Sequence, residues 1–296
     1  MKNFTDLLKL IKTKPRKMVA VAACEDKEVL EAVIEASKLQ IANFYLFGDK
    51  TKTLKILNEQ NFMLPEGIEI IDVDDAVSAA TKAVQYVNSG KADVLMKGLV
   101  DTKVILKEVL NKEYGLRSNS ILSHVVLLEI PKLKRLIFLT DAAMNIAPNK
   151  DELIAIIENS VTLAKALDFK KPKVALLSAV EKVNEKIPST VLAKELENYY
   201  KDSDDRIVEG PMALDLAISK DAAITKGVKT KIQGDADIIV APYIEVGNAL
   251  YKGFVFGAAG VKNAGIIVGA KKPIILTSRA DSHEAKLYSI ILGLLM

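Results

Sequence analysis

Two α/β domains with mainly parallel, helix-covered sheets are what this sequence predicts, on three observations. Short apolar β-former runs alternate with longer amphipathic ones from Lys17 to Tyr114, the pattern of parallel strands joined by crossover helices. Half of the 296 residues are hydrophobic, yet only 5% are aromatic and none is Trp, so the core must be built on Val, Ile, Leu and Ala. The rhythm changes near residue 140, the best single boundary in a chain long enough for two medium domains.

Each element has a local reason. Met18 to Ala23 reads as a strand, and Asp26 to Leu39 as a helix with Glu and Lys on its wet face. Asn43 to Phe47 is a strand ending at Gly48-Asp49, and a helix follows through Leu57. After the strand Ile68 to Val73, Asp74 or Asp75 starts a helix that ends at Asn88-Ser89-Gly90, a glycine C-cap signal. Asp93 to Met96 is a strand broken at Lys97-Gly98, and Thr102 to Tyr114 a helix. Ser123 to Glu129 and Arg135 to Leu139 are β-rich runs joined by Pro131 to Lys134, which predicts a hairpin and hence an antiparallel addition. Beyond Thr140 to Pro148 come a helix from Asp151 to Leu167, the strand Val174 to Ser178, and a helix from Thr190 to Tyr200. The polar patch Lys201 to Asp205 reads as a surface loop before Glu209-Gly-Pro211 and a helix around Ala213 to Ile218. The strand Asp237 to Ala241, a helix from Gly247, and strands Ala264 to Val268 and Pro273 to Leu276 follow. Asp281 or Ser282 then caps a helix running through Ala285, Tyr288, Ile291 and Leu295.

Composition excludes several classes. The net charge of +3, from 41 basic and 38 acidic residues, argues against nucleic acid as a partner, while local Lys and Arg still suit a phosphorylated small molecule. The single cysteine, Cys24, rules out an intramolecular disulfide framework and fits a reducing cytosol, so a cytoplasmic location is expected. Val21-Ala-Ala-Cys24 superficially matches a lipoprotein cleavage box, but the apolar run before it is too short and Asp6 interrupts the flank. The longest near-apolar stretch, Phe254 to Ala270, contains Lys262 and Asn263, so no membrane span is expected. Neither a G-x-x-x-x-G-K-[ST] loop nor a G-x-G-x-x-G fingerprint occurs, nor H-E-x-x-H or G-x-S-x-G. No metal site and no permanently bound cofactor are expected.

The richest chemistry lies between Gly234 and Tyr288. Ser278-Arg279 stands at the carboxyl end of a strand and just before a helix N-terminus, where open α/β folds bind anions. The bland alternative is a helix cap beside a surface Arg. Gly247-Asn248, with Tyr251 and Lys252, opens a helix after a strand; the Gly lets backbone approach a ligand and the Asn can hydrogen-bond acyl or phosphate oxygens, although a capped helix start would look the same. Met96-Lys97-Gly98 ends another strand, where a lysine meets phosphate as a point charge. Arg117 and His124 are lone residues of types that are more often structural.

Together Gly234 to Lys252 and Pro273 to Glu284 resemble the phosphate acetyl- and butyryltransferases, and Thr277-Ser-Arg-Ala-Asp-Ser282 resembles the butyryl branch. Met96-Lys97-Gly98, Thr140-Asp141 with Asn145 and Pro148, and Gly210-Pro211 with Asp215 extend the likeness over nearly the whole chain. The resemblance implies a fold like that of the isocitrate and isopropylmalate dehydrogenases, with the active site in an inter-domain cleft. It divides the chain into residues 1–140 plus 274–296 and residues 141–273. It implies reversible transfer of a short acyl group, butyryl or branched, between CoA as co-substrate and inorganic phosphate, by direct attack of the CoA thiolate on acyl phosphate. In that scheme Ser278 holds the thiol, and Arg279 holds phosphate and the developing oxyanion, a task its planar fork suits. Lys97, Gly98, Asp141, Asn145, Gly210, Asp215, Gly247, Asn248 and Lys252 line the substrates.

The general base departs from the family pattern. The acetyl branch carries an Asp several residues after Ser-Arg, and an ungapped count falls on Ala285 here. Glu284 and then Asp281 are the candidates; His283 is titratable near neutrality but is equally compatible with facing water. All three also suit an acidic or polar first helical turn. Val255 and Phe256 stand near where the acetyl branch carries an Arg, a change that suits a larger acyl chain. The partners implied are acyl-CoA, phosphate and acyl phosphate, with a homo-oligomer of at least two chains. The alternatives are a phosphate acetyltransferase, a metal-dependent NAD dehydrogenase and a non-catalytic CoA-binding protein of the same fold.

Overall fold

The structure, a computed structural model, describes residues 1–278 and 281–296; Arg279 and Ala280 lie outside the described residues. The chain opens with α1 (Phe4–Ile11), an amphipathic helix that buries Phe4, Leu7 and Ile11, followed by β1 (Lys17–Ala22). Next is α2 (Lys27–Lys38), whose N-cap Asp26 accepts the Val29 N–H, and then β2 (Ala42–Gly48). Asp49 caps α3 (Lys50–Glu59), β3 (Ile68–Asp72) follows, and Asp75 caps α4 (Ala76–Asn88). Each of these three caps satisfies N–H groups that a helix start leaves bare. β4 (Val94–Lys97), α5 (Thr102–Val109), β5 (Ser123–Ile130) and β6 (Arg135–Thr140) come next. α6 (Lys150–Ala166) starts with a full capping box between Asn149 and Glu152. β7 (Lys173–Leu177), α7 (Pro188–Tyr200), β8 (Ile207–Met212), α8 (Leu214–Ile218) and α9 (Lys220–Lys226) follow. The chain ends with β9 (Ile238–Val240), α10 (Ile244–Gly257), β10 (Lys262–Val268), β11 (Ile274–Ile275) and α11 (His283–Leu295).

These elements form two compact units, residues 5–120 with 264–296 and residues 1–4 with 121–263. In the first, the strand order is β3-β2-β1-β4-β11-β10. All neighbours are parallel except β10 and β11. The order reverses around β1, because β2 and β3 lie on one side of it and β4 on the other; ligands in open α/β sheets bind beside the carboxyl ends at such a switch point. α2 and α11 pack together, and α11 is buried almost continuously from Ala285 to Leu295, its last six residues, Ile290 to Leu295, being apolar all round as such burial demands. Ile290, Ile291, Leu292 and Leu294 each stabilise the unit by about 1.5–3 kcal/mol when buried. Gly293 lets α11 lie close on β11, since a Cβ there would stand 2.9 Å from Ile275 Cγ1.

In the second unit the order is β5-β6-β9-β7-β8. β5 and β6 form the expected antiparallel hairpin, while β6-β9, β9-β7 and β7-β8 are parallel. Val126, Leu128, Ile137, Leu139 and Ile239 make one apolar cluster, against which Leu250, Tyr251, Phe254 and Val255 of α10 are partly buried.

The structure departs from the sequence reading at several points. The compact units divide at 120/121 and 263/264, whereas the sequence reading divides the chain at 140/141 and 273/274. The hairpin accounts for the first difference, because β6 pairs with β9. β10 accounts for the second, because it pairs with β11. α5 stops at Val109 rather than Tyr114, where Asn111 Oδ1 accepts the N–H groups of Glu113 and Tyr114 and offers the backbone a local turn instead. β8 contains Gly210-Pro211, to which the sequence reading gives no strand; as the sheet edge it does not need the N–H that Pro211 lacks. α10 begins at Ile244, one turn before Gly247. α1 and α9 were not expected.

Candidate functional site

In the first unit the residues around Ser278 come together at the carboxyl ends of two parallel strands. Ile274 pairs with Leu95 and Ile275 with Met96, so Lys97 at the end of β4 lies level with the residue that follows β11. Ser278 is exposed, while Thr277 before it is buried. The Ser278 N–H donates to Asp281 Oδ2 at 2.7 Å, and the Asp281 N–H returns a bond to the Ser278 carbonyl at 3.2 Å. Ser282, not Asp281, caps α11, its Oγ accepting the Ala285 N–H at 3.3 Å. Glu284 stands in the first turn, where its Oε1 accepts the Tyr288 hydroxyl at 3.0 Å. Lys97 is 5% exposed and its Nζ donates to the Gly98 carbonyl at 3.2 Å. Gly98 answers a packing need: a Cβ there would stand 2.1 Å from the Ala23 carbonyl oxygen. Arg279, the expected oxyanion partner, lies outside the described residues.

Two features beside this segment go beyond the sequence reading, which leaves Lys286 unmentioned and lets His283 face water. Lys286, the fourth residue of α11, is 3% exposed, and its Nζ donates to the carbonyls of Ser278 and Asp281. The signal was legible as a lysine between Ala285 and Leu287, just before the apolar run Ile290 to Leu295. His283 meets more than water: its N–H donates to Glu28 Oε2 at 2.9 Å, and its Nδ1 stands 3.8 Å from both Glu28 and Glu31. Among the described residues these three form the group with metal-ligating spacing, their ligand atoms within 4.8 Å of one another.

In the second unit Asp141, Asn145, Gly247 and Asn248 form a second cluster. Asp141 is 2% exposed and is enclosed by donors. Its Oδ1 accepts the Ala143 and Met144 N–H groups, and its Oδ2 accepts the His124 N–H and the Asn145 amide. Asn145 also donates to the Leu122 carbonyl at 2.9 Å, and Asn248 to the Ala142 carbonyl at 3.1 Å. Gly247 serves α10's approach to this loop, since a Cβ would stand 2.1 Å from the Asp141 carbonyl oxygen. His124, set aside in the sequence, stands here edge-on to Tyr251, ring centroids 6.4 Å apart. Lys252 is exposed on α10.

Gly210 and Asp215 stand apart from this cluster. β8 is separated from β6 by β9 and β7, a span of about 14 Å at the usual strand spacing. Gly210 packs against Leu176. Asp215 accepts Lys226 Nζ at 2.8 Å, which holds its carboxyl below the usual carboxylate range. Its surroundings are those of a surface ion pair. Burial pushes the Cys24 thiol up to about 12, so it stays protonated near neutrality and offers no thiolate nucleophile. None of the described helices is long and apolar enough to cross a membrane.

The family model described as phosphate acetyl/butaryl transferase matches residues 73–294. The chain is similar to the phosphate butyryltransferase of Clostridium acetobutylicum, 44% identical over 100% of this chain and 98% of that protein. It is 47% identical to a probable phosphate butyryltransferase of Bacillus subtilis, over 98% of this chain and 96% of that one. Among solved structures, a branched-chain phosphotransacylase from Enterococcus faecalis V583 matches with a TM-score of 0.84 and 40% identity, covering 94% of this chain and 98% of that one. This chain belongs to the phosphate acetyl/butaryl transferase family.

Proposed function

We propose that this protein is a phosphate acyltransferase that moves a short acyl group, butyryl or branched, reversibly between CoA and inorganic phosphate. The observation in the molecule that carries this reading is the exposed Ser278 beside the carboxyl ends of β4 and β11, with Glu284 in the helical turn that follows. The full-length likeness to phosphate butyryltransferases and to a branched-chain phosphotransacylase supports the same class and branch.

In the acyl-phosphate-to-CoA direction, Ser278 hydrogen-bonds the CoA thiol and Glu284 takes its proton. Asp281, whose Oδ2 accepts the Ser278 N–H, is the second candidate for that role. The thiolate sulfur forms a bond to the acyl carbonyl carbon, and Arg279 stabilises the oxyanion. The bond from that carbon to the phosphate oxygen then breaks, and phosphate leaves with the electron pair. Lys97 adds positive charge for the phosphate. Asp141, through the bonds it accepts, holds the loop that carries Asn145 and receives Asn248, and both amides orient substrate; Lys252 meets CoA from α10. An acyl-enzyme trapped by rapid quenching would contradict the direct step. The test of the class is CoA thiol release from butyryl-CoA, expected with phosphate and absent without it. Release that ignores phosphate would make the protein a thioesterase, and tight CoA binding without release would make it a binding protein.

A further inference from the structure

We propose that Lys286 is a positioning residue for acyl transfer, acting through the main chain of Ser278 and Asp281. The inference rests on the function proposed above. A lysine ammonium is strongly hydrated and is seldom buried without a partner, yet Lys286 is 3% exposed on a helix whose neighbouring residues Ala285, Leu287 and Ile290 are apolar and buried. Its partners are the Ser278 carbonyl, at 3.3 Å, and the Asp281 carbonyl. The Ser278 carbonyl thus receives two donors, Lys286 Nζ and the Asp281 N–H, while the Ser278 N–H is held by Asp281 Oδ2. Both residues flanking Arg279-Ala280 are therefore anchored from the interior of α11. Acyl transfer needs the Ser278 hydroxyl held at a fixed place against the reacting sulfur, within the few tenths of an ångström that such chemistry tolerates.

The test is a double-mutant cycle in the phosphate-dependent thiol-release assay with butyryl-CoA. Lys286→Met keeps most of the side chain's length and removes its donors and charge. Its kcat is expected to fall about 10- to 100-fold, the scale of a small misplacement of reacting groups, with KM for butyryl-CoA changed by less than about 3-fold and the unfolding midpoint close to that of the parent. Combined with Ser278→Ala, it is expected to lower kcat by no more than about 3-fold beyond Ser278→Ala alone, because the hydroxyl it positions is gone. An unchanged kcat in Lys286→Met, or a double variant whose loss equals the product of the single losses, overturns the proposal. If Lys286→Met does not fold, the same cycle is run with Lys286→Arg, whose wider fork displaces the two carbonyls while keeping the charge, and the same criteria apply. A parent protein that releases no thiol with phosphate overturns the functional reading as a whole, whereas an active parent with an equally active Lys286→Met overturns the role of Lys286 alone.

Discussion

At the scale of single residues, magnitudes decide which side chain matters most to the rate. A thiol with a pKa of about 8.5 is a few per cent ionised at pH 7, so complete deprotonation by Glu284 gains at most about 30-fold, or about 2 kcal/mol. Loss of one oxyanion donor typically costs about 100- to 1,000-fold. Arg279→Ala is therefore expected to lose more turnover than Glu284→Gln, compared at saturating substrates. The reverse order would mean that the acid is misassigned or the arginine peripheral. That Ser278 follows a strand and Glu284 opens a helix was legible because strand-end and helix-start chemistry is local. It placed the helix cap on either Asp281 or Ser282, and the structure separates their tasks: Ser282 caps α11 while Asp281 clasps Ser278. Asp215 shows the opposite case. The partner that gives it a plain ionic role, Lys226, lies on the next helix, and no spacing rule announces such a contact.

At the scale of elements, α10 offers a clean comparison within one helix. Gly247 and Gly253 both lie in it, but a Cβ on Gly247 would meet the Asp141 carbonyl oxygen at 2.1 Å, whereas one on Gly253 would meet nothing within 4 Å. Gly247→Ala forces the helix and the Asp141 loop apart and is expected to destabilise the protein by about 1–3 kcal/mol, with activity falling as well. Gly253→Ala replaces the poorest common helix former and is expected to stabilise by up to about 1 kcal/mol. Denaturant midpoints measure both, and equal effects would show that the close approach does not constrain Gly247. The same contact shows why spacing alone leaves Gly247 with two readings. A glycine near a helix start reads as room for a ligand, and whether ligand or backbone fills that room depends on a loop more than a hundred residues earlier. β8 was missed for a related reason: Gly210-Pro211 is a turn signal unless the strand lies at an edge, and position in the sheet is not a local property.

At the scale of the whole molecule, the alternating pattern made the parallel sheets and the β5-β6 hairpin legible, because side-chain period and turn chemistry act over a few residues. The bounds of the compact units were less legible, because they follow from pairings such as β6 with β9. One feature concerns assembly. α10 is apolar over most of its length, yet Gly247 is its one buried residue, and Phe256 is 71% exposed. Exposed apolar surface of this kind marks association sites, so light scattering is expected to give a mass at least twice that of one chain; a single-chain mass would contradict this. The central claim, acyl transfer between CoA and phosphate with a preference for four-carbon or branched groups, meets its most direct test in a panel of acyl-CoAs. Acetyl to hexanoyl, with isobutyryl, would each be assayed for thiol release with and without phosphate. The account predicts release that requires phosphate and is fastest with butyryl or isobutyryl-CoA. Fastest release with acetyl-CoA would overturn the acyl preference, and release independent of phosphate would contradict the account altogether.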